Sequence, residues 1–278
     1  MLRVTLLALA LTAASCGQKQ PEPQPTVTAA PASAWRVIGP GGGGGQFIPT
    51  VNPADSNNVF VRCDMTGAYV THDGGKSWRM FNLRTVVEDF EFDPADPNTI
   101  YASNSALWRS EDRGARWNLI WPAPQNVTAE RMLGDHADQF FETADGMPDG
   151  SIVKVRVDPS DSRRIWLGLT PSRRGGREGD DSSRVMVSTD RGASWSLAGK
   201  VAGRSILALV PGAWDGRPDE VLAVSERGTA LVSLSGTARQ TAALPVRFIQ
   251  AADCGKGAGG SVIYILRSEE HTSELQSL

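Results

Sequence analysis

The sequence predicts an all-β protein, a β-propeller of four-stranded blades closed by a recurring turn. The first observation is a turn pattern, S/T-x-D-x-G-x-x-W, with copies at Thr71–Trp78, Ser110–Trp117 and Ser188–Trp195. The second is an Asn-Pro or Asp-Pro turn that precedes each copy and lies between short apolar runs. The third is the spacing, because units of roughly 40 residues with about four short strands are typical of propeller blades.

The chemistry of the turn pattern is structural. Its Asp can accept hydrogen bonds from backbone amides of the same turn, its Gly allows a positive φ, and its Trp can bury a large apolar ring. The pattern resembles the Asp box of bacterial-neuraminidase-type repeats. We therefore predict that the box residues close hairpins away from any active site; they are Asp73, Trp78, Asp112, Trp117, Asp190 and Trp195.

The proline turns set the order of the blades. Blades are predicted at about residues 47–83, 86–121, 151–198 and, without an Asp box, 205–243. A fifth blade begins near Val246. Because a complete ring is expected to have about seven blades, the sequence predicts a truncated propeller. Insertions at 122–150 and 172–183 are predicted to be loops, which on propellers commonly carry binding surfaces.

The N-terminal residues are predicted to direct export and to tether the domain. Residues 1–16 read as a signal peptide, with Arg3, an apolar run too short to cross a bilayer, and small residues before Cys16. This end resembles a bacterial lipobox, which implies lipidation of Cys16; a plain signal peptide cleaved near Ser15 is the alternative. The Pro-rich residues 17–34 then form a flexible tether. We expect an exported bacterial protein, anchored to a membrane by its lipid alone (periplasmic or at the cell surface) or else secreted.

The remaining boundaries separate a partial propeller, residues 35–266, from a foreign tail, residues 267–278. Residues 267–277 resemble the translation of a sequencing-library adapter, and a polar C-terminal helix is the alternative. Cys63 and Cys254 could pair in an oxidising compartment, or both could be free.

The other motifs argue against several classes of protein. The net charge is −3, which gives no basic field for nucleic acid. The glycine run Gly41–Gly45 precedes no helical pattern, so a nucleotide site is not expected. Asp135, His136 and Asp138 lie together but match no metal-ligand spacing, and we predict neither a metal nor a cofactor. Three tryptophans outside the boxes fit either blade cores or sugar-stacking platforms: Trp121, Trp166 and Trp214.

The segment that begins with the glycine run resembles one enzyme family. Residues 38–49 read I-G-P-G-G-G-G-G-Q-F-I-P, and residues 62–69 read R-C-D-M-T-G-A-Y. They resemble the first blade of xyloglucan-cleaving enzymes of glycoside hydrolase family 74. In the family's R-T-D-x-G-G-A-Y block the Asp is the base of an inverting reaction, so the resemblance implies this role for Asp64. Cys63 stands where the block has Thr, and Thr66 stands where it has Gly.

Two functions stay open on this basis. An inverting glycosidase needs two carboxylates about 6.5–9.5 Å apart, one to activate water and one to protonate the leaving oxygen. The resemblance implies two propellers with the substrate between them, and it places the acid partner of Asp64 on the second one, outside this chain. The first function is an exported glycoside hydrolase acting on β-glucan or xyloglucan-type polysaccharide, with Asp64 as the base. The second is a non-catalytic propeller lipoprotein that binds a protein or glycan partner, in which Asp64 caps the turn at Gly67.

Overall fold

The chain forms four four-stranded antiparallel sheets and two hairpins in the part that the computed structural model describes, residues 39–40, 44–65, 67–134, 138–171, 181–241 and 249–267. The strands are β1 (Gln46–Asn52), β2 (Asp55–Cys63), β3 (Gly67–Thr71), β4 (Arg79–Asn82), β5 (Asp89–Phe92), β6 (Ile100–Ser103), β7 (Leu107–Ser110), β8 (Asn118–Trp121), β9 (Val127–Leu133), β10 (Asp138–Thr143), β11 (Ile152–Val157), β12 (Ile165–Leu169), β13 (Ser182–Ser188), β14 (Ser196–Ala202), β15 (Ile206–Pro211), β16 (Glu220–Ser225), β17 (Gly228–Ser233), β18 (Ala238–Gln240), β19 (Ile249–Gly257) and β20 (Gly260–Arg267). Two 3₁₀ helices lie at Pro124–Asn126 and Gly212–Asp215. Neither is a long apolar helix of the kind that crosses a membrane, and the described ranges hold no other helix.

Each four-stranded sheet is a blade whose strands follow one another in chain order: β1–β4, β5–β8, β11–β14 and β15–β18. The prediction of an all-β propeller with four-stranded blades is confirmed. The hairpin β19–β20 lies where the fifth blade was expected. The strands form because β-branched and aromatic residues dominate them, as in V-F-V of β2 and I-W-L of β12, and such side chains pack well on a pleated surface.

The first insertion is more ordered than the loop that the sequence predicted. Residues Val127–Leu133 and Asp138–Thr143 pair as the antiparallel hairpin β9–β10, with Phe141 opposite Glu130. Both segments contain β-branched or aromatic residues among the polar ones, which explains why they become strands. Of the second insertion, residues 172–180 lie outside the described part of the chain.

Apolar side chains from neighbouring blades meet in layers. Phe60 and Phe81 of the first blade pack with Phe90 of the second, and the ring centroids of Phe60 and Phe90 are 5.4 Å apart. Trp166 is fully buried between the third and fourth blades, and Trp121 is 7% exposed between the second and third. These two tryptophans are therefore core residues rather than platforms. A buried side chain of this size contributes at least about 1.5–3 kcal/mol to folding.

The three Asp-box turns share one hydrogen-bond pattern. The Asp73 carboxylate accepts hydrogen bonds from the Ser77 amide at 2.9 Å and from the Thr71 hydroxyl at 2.8 Å. The bond from the backbone amide recurs at 2.8 Å for Asp112 and at 2.9 Å for Asp190. Hydrogen bonds from Ser77 hold the pKa of Asp73 well below its ordinary value, because they stabilise the ionised form.

The tryptophans of the second and third boxes also pack against the preceding blade. Trp117 of the second blade stacks on Phe81 of the first, with ring centroids 5.3 Å apart and an interplanar angle of 17°. Trp195 of the third blade stacks on Trp121 of the second, at 5.2 Å and 24°. The box is therefore a joint between blades as well as a turn, a role that the sequence pattern did not predict.

The Asn-Pro and Asp-Pro turns supply a second set of joints. Asn52 of the first blade donates a hydrogen bond to the Pro97 carbonyl of the second at 2.8 Å. Asp93 of the second blade accepts one from the Ser162 hydroxyl of the third at 2.5 Å. Asn52 and Asp93 are each only 1% exposed, so these bonds are shielded from water. Polar side chains that look like turn formers in the sequence thus hold neighbouring blades together.

Candidate active site

The four strands of each blade run alternately in opposite directions in chain order, so the turns between them lie at two ends of the blade. In the first blade the proline turn joins β1 to β2 and the box turn joins β3 to β4, so both lie at one end. Since antiparallel strands alternate in direction, the β2–β3 turn and the connectors between blades lie at the other end. We call this second end the connector face; it comprises Asp64 and Met65 directly after β2, the connector at 83–88 and the hairpin β9–β10. Asp64 lies on the connector face, whereas the box acids lie on the opposite face.

Asp64 follows β2 directly and is held by Gly45 while its side chain stays exposed. The Gly45 amide donates a hydrogen bond to Asp64 Oδ1 at 3.0 Å, and the Asp64 amide donates one to the Gly45 carbonyl at 3.2 Å. The Cys63 thiol, which is 4% exposed, donates to the same carboxylate oxygen at 3.4 Å. Two groups therefore orient one oxygen of a carboxylate that solvent can still reach.

Gly44 explains why this part of the chain must be glycine. Its φ is +85°, in the left-handed region that side chains disfavour. A Cβ at Gly44 would lie 2.4 Å from Asp64 Oδ1 and 2.9 Å from Cys63 Sγ. The backbone at Gly44 thus packs directly against the carboxylate, with no room for a side chain between them.

An aromatic ring and a cation lie beside this carboxylate. Phe47 is 43% exposed near the start of β1, opposite Arg62 of β2. The Arg62 guanidinium lies over the Phe47 ring, with its central carbon 5.0 Å from the ring centroid. A Cβ added at Gly45 would lie 2.6 Å from the Phe47 ring and 3.4 Å from Asp64 Oδ2. The ring and the carboxylate therefore flank the same glycine.

The hairpin β9–β10 is docked onto the connector between the first two blades. Arg84 of the connector donates a hydrogen bond to the Gln139 side chain at 2.8 Å and accepts one from the Gln139 amide at 2.9 Å. The Thr85 hydroxyl donates to Asp138 at 2.7 Å. Asp138 therefore anchors the hairpin, which forms a wall on the connector face.

A second group of charged side chains lines a central cavity of about 970 Å³. Arg156 lies 2.9 Å from Glu91, 2.9 Å from Asp253 and 3.8 Å from Asp89. Burial raises the pKa of Glu91 to about 7, an effect that Arg156 partly offsets. The sequence reasoning missed this cluster. The signal was present as the alternation Asp-Phe-Glu in β5 and Lys-Val-Arg in β11, which puts charges on one side of two strands.

The residues singled out from the sequence fall into separate places. Asp64 is on the connector face, and the box residues are at the other end of the blades. Cys16, Asp135 and His136 lie outside the described residues. Cys63 and Cys254 form no disulfide with each other. Within the described ranges, His, Cys, Asp and Glu side chains form no group of three that could hold a metal ion. Sequence reasoning also missed Phe47 and Arg62, whose position at the start of β1 and the end of β2, next to Asp64, was the available signal.

Comparisons with known proteins agree with this architecture. The BNR/Asp-box repeat family matches residues 69–80. A xyloglucanase from Paenibacillus sp. is 28% identical over 184 residues, which are 58% of this chain and 15% of the relative. A xyloglucanase from Hypocrea jecorina is 26% identical over 234 residues, covering 59% of this chain and 27% of the relative. A crystal structure of an ancestral enzyme of glycoside hydrolase family 74 superposes with a TM-score of 0.57 at 19% identity, over 83% of this chain and 28% of that one.

These likenesses agree on one assignment. The chain is a family 74-like Asp-box propeller. The sequence similarity to xyloglucanases makes it a glycoside hydrolase-like propeller, and the structural likeness supports the fold. This propeller spans less than a third of the length of the curated relatives it matches.

Proposed function

We propose that this family 74-like propeller is the base-bearing half of an exported glycoside hydrolase that cleaves β-glucan or xyloglucan-type polysaccharide with inversion. The observation that carries the proposal is the setting of Asp64. It is an exposed carboxylate on the connector face, with one oxygen oriented by Gly45 and Cys63. The similarity to proteins named as xyloglucanases supports the same assignment.

The proposed chemistry gives Asp64 one task. A carboxylate that activates water works best when it is already oriented, because the carboxylate then needs no reorganisation during the reaction. Hydrogen bonds from the Gly45 amide and the Cys63 thiol to Asp64 Oδ1 fix the orientation of the carboxylate. A second carboxyl group must protonate the leaving oxygen. By resemblance to the family, we assign that group to a second propeller, with the polysaccharide lying between the two.

Export is part of the proposal. Residues 1–16 would direct secretion, Cys16 would carry a lipid, and residues 17–34 would hold the propeller of residues 35–266 away from the bilayer. A polysaccharide-cleaving enzyme needs this placement, because its polymeric substrate does not cross membranes. Residues 267–278 have no role in the proposed function.

The test is hydrolysis of xyloglucan by the full-length gene product, measured as release of reducing ends. Asp64→Asn keeps the shape of the side chain and removes its basicity, so we expect kcat to fall at least about a hundredfold. Glu111→Gln is the matched control, since Glu111 is an exposed acid of the second Asp box, on the opposite face. Loss of less than about threefold in Asp64→Asn would sink the assignment of Asp64. Binding of the polymer without hydrolysis by the wild type would favour the non-catalytic binding protein instead.

A further inference from the structure

The proposed base raises the question of what holds the sugar beside it. Phe47 is an aromatic side chain of the connector face with 43% of its surface exposed, while Phe60 and Phe81 of the same blade are buried. Single exposed apolar residues are common on protein surfaces. The surroundings of Phe47, rather than its exposure alone, are what indicate a function.

The ring is fixed in place on two sides. Arg62 covers one face at 5.0 Å, and the backbone of Gly45 lies so close to the ring edge that a Cβ there would be 2.6 Å from it. Arg62 comes two residues before Asp64, and Gly45 donates a hydrogen bond to Asp64. A ring that its neighbours fix in place and that is 43% exposed can receive a flat apolar surface without losing much conformational freedom.

Arg62 adds to the argument because no ion pair between described residues involves it, and its Nε is buried without a hydrogen-bond partner. Its contact with the Phe47 ring is the cation–π arrangement known to be attractive. The guanidinium thus supports the ring, and no carboxylate of the described residues competes for it.

We propose that Phe47 is a sugar-stacking platform in the subsite next to Asp64, which takes one pyranose ring of a β-linked glucan. The C–H face of a pyranose is apolar and flat, and an aromatic ring is the side chain that matches it. Because Phe47 and Asp64 flank Gly45, a sugar on the ring would present its linkage to the carboxylate. This inference rests on the proposed function, since it names the residue that binds that substrate.

The experiment measures binding in the Asp64→Asn background of the full chain, in which hydrolysis is expected to fall at least about a hundredfold. The probes are cellohexaose and a xyloglucan oligosaccharide, and isothermal titration calorimetry gives Kd. We expect Phe47→Ala to raise Kd about five- to tenfold, and Phe47→Tyr to leave it within about twofold. Phe47→Leu keeps the apolar character without the ring and should weaken binding as the alanine variant does. If Phe47→Ala does not fold, Phe47→Leu takes its place in the experiment.

Val51→Ala is the matched control, because Val51 lies at the far end of the same strand and is 51% exposed. The inference is overturned if Asp64→Asn binds neither probe, if Phe47→Leu binds as tightly as phenylalanine, or if Val51→Ala causes an equal loss. Failure of the two ideas can be told apart. Weaker binding in the Phe47 variants, combined with normal hydrolysis by Asp64→Asn, would support the platform and refute the base.

Discussion

Gly44→Ala should impair the proposed base while leaving the propeller folded. The new Cβ would lie 2.4 Å from Asp64 Oδ1, whereas ordinary non-bonded contacts are about 3.5 Å or longer. The carboxylate must therefore move by about 1 Å, and a displacement of that size can cost about a hundredfold in rate. We expect kcat/KM for xyloglucan hydrolysis by the full-length gene product to fall by about that factor.

A second glycine supplies the control for backbone strain. Gly236 has a φ of +83°, against +85° at Gly44, but a Cβ there would meet nothing within 4 Å. Both alanine variants should lose about 1 kcal/mol or more of unfolding free energy, measured by urea denaturation, because alanine disfavours this backbone conformation. Only Gly44→Ala should lose activity. If Gly44→Ala kept its activity within about threefold, or if Gly236→Ala lost as much, the direct packing of Gly44 against Asp64 would not be what positions the carboxylate.

Three further predictions concern stability and export. Trp117→Leu should lower the free energy of unfolding by about 2–3 kcal/mol. A double-mutant cycle with Phe81→Leu should give a coupling energy of about 0.5–1.5 kcal/mol between the two rings. If the losses of the two single variants simply add in the double variant, the rings do not join the blades. Burial raises the pKa of Glu91 from 4.5 to about 7, so the folded state binds the proton more tightly and stability should fall as pH rises between these values. Urea denaturation at about pH 5 and about pH 8 gives the difference in the free energy of unfolding between these pH values. Glu91→Gln should reduce this difference by roughly 1–3 kcal/mol. An unchanged difference would count against the raised pKa of Glu91. Cys16→Ala should move the protein from the membrane fraction to the soluble fraction of the producing cells, and persistence in the membrane would exclude the lipid anchor.

Local chemistry explains why the architecture could be predicted. The Asp-box turn around Asp73 needs only neighbouring residues to form, and the same turn recurs twice more along the chain. The proline turns and the β-branched runs are equally local. The hairpin β9–β10 was predicted only as a loop because its polar residues hide the strand formers among them.

The site depends on contacts between distant residues, which no local pattern contains. Gly45 and Asp64 are 19 residues apart, and the bond between Arg156 and Asp253 spans 97 residues. Asp64 was selected because its segment resembles a family motif and is not repeated in later blades. Phe47 lies in the other segment that resembles the family, and only the structure shows that its ring lies beside Gly45, near the Asp64 carboxylate.

The joints between blades have a consequence for how such a protein can change in evolution. The second and third box turns each present a tryptophan to the blade before it. The second blade therefore supplies Trp117, which stacks on the first blade, and Trp121, on which Trp195 of the third blade stacks. A duplicated blade would therefore find compatible surfaces on both sides, so an array can lengthen by copying a unit. The connector face takes no part in these stacking contacts. Its loops can acquire or lose chemistry without disturbing the assembly of the blades.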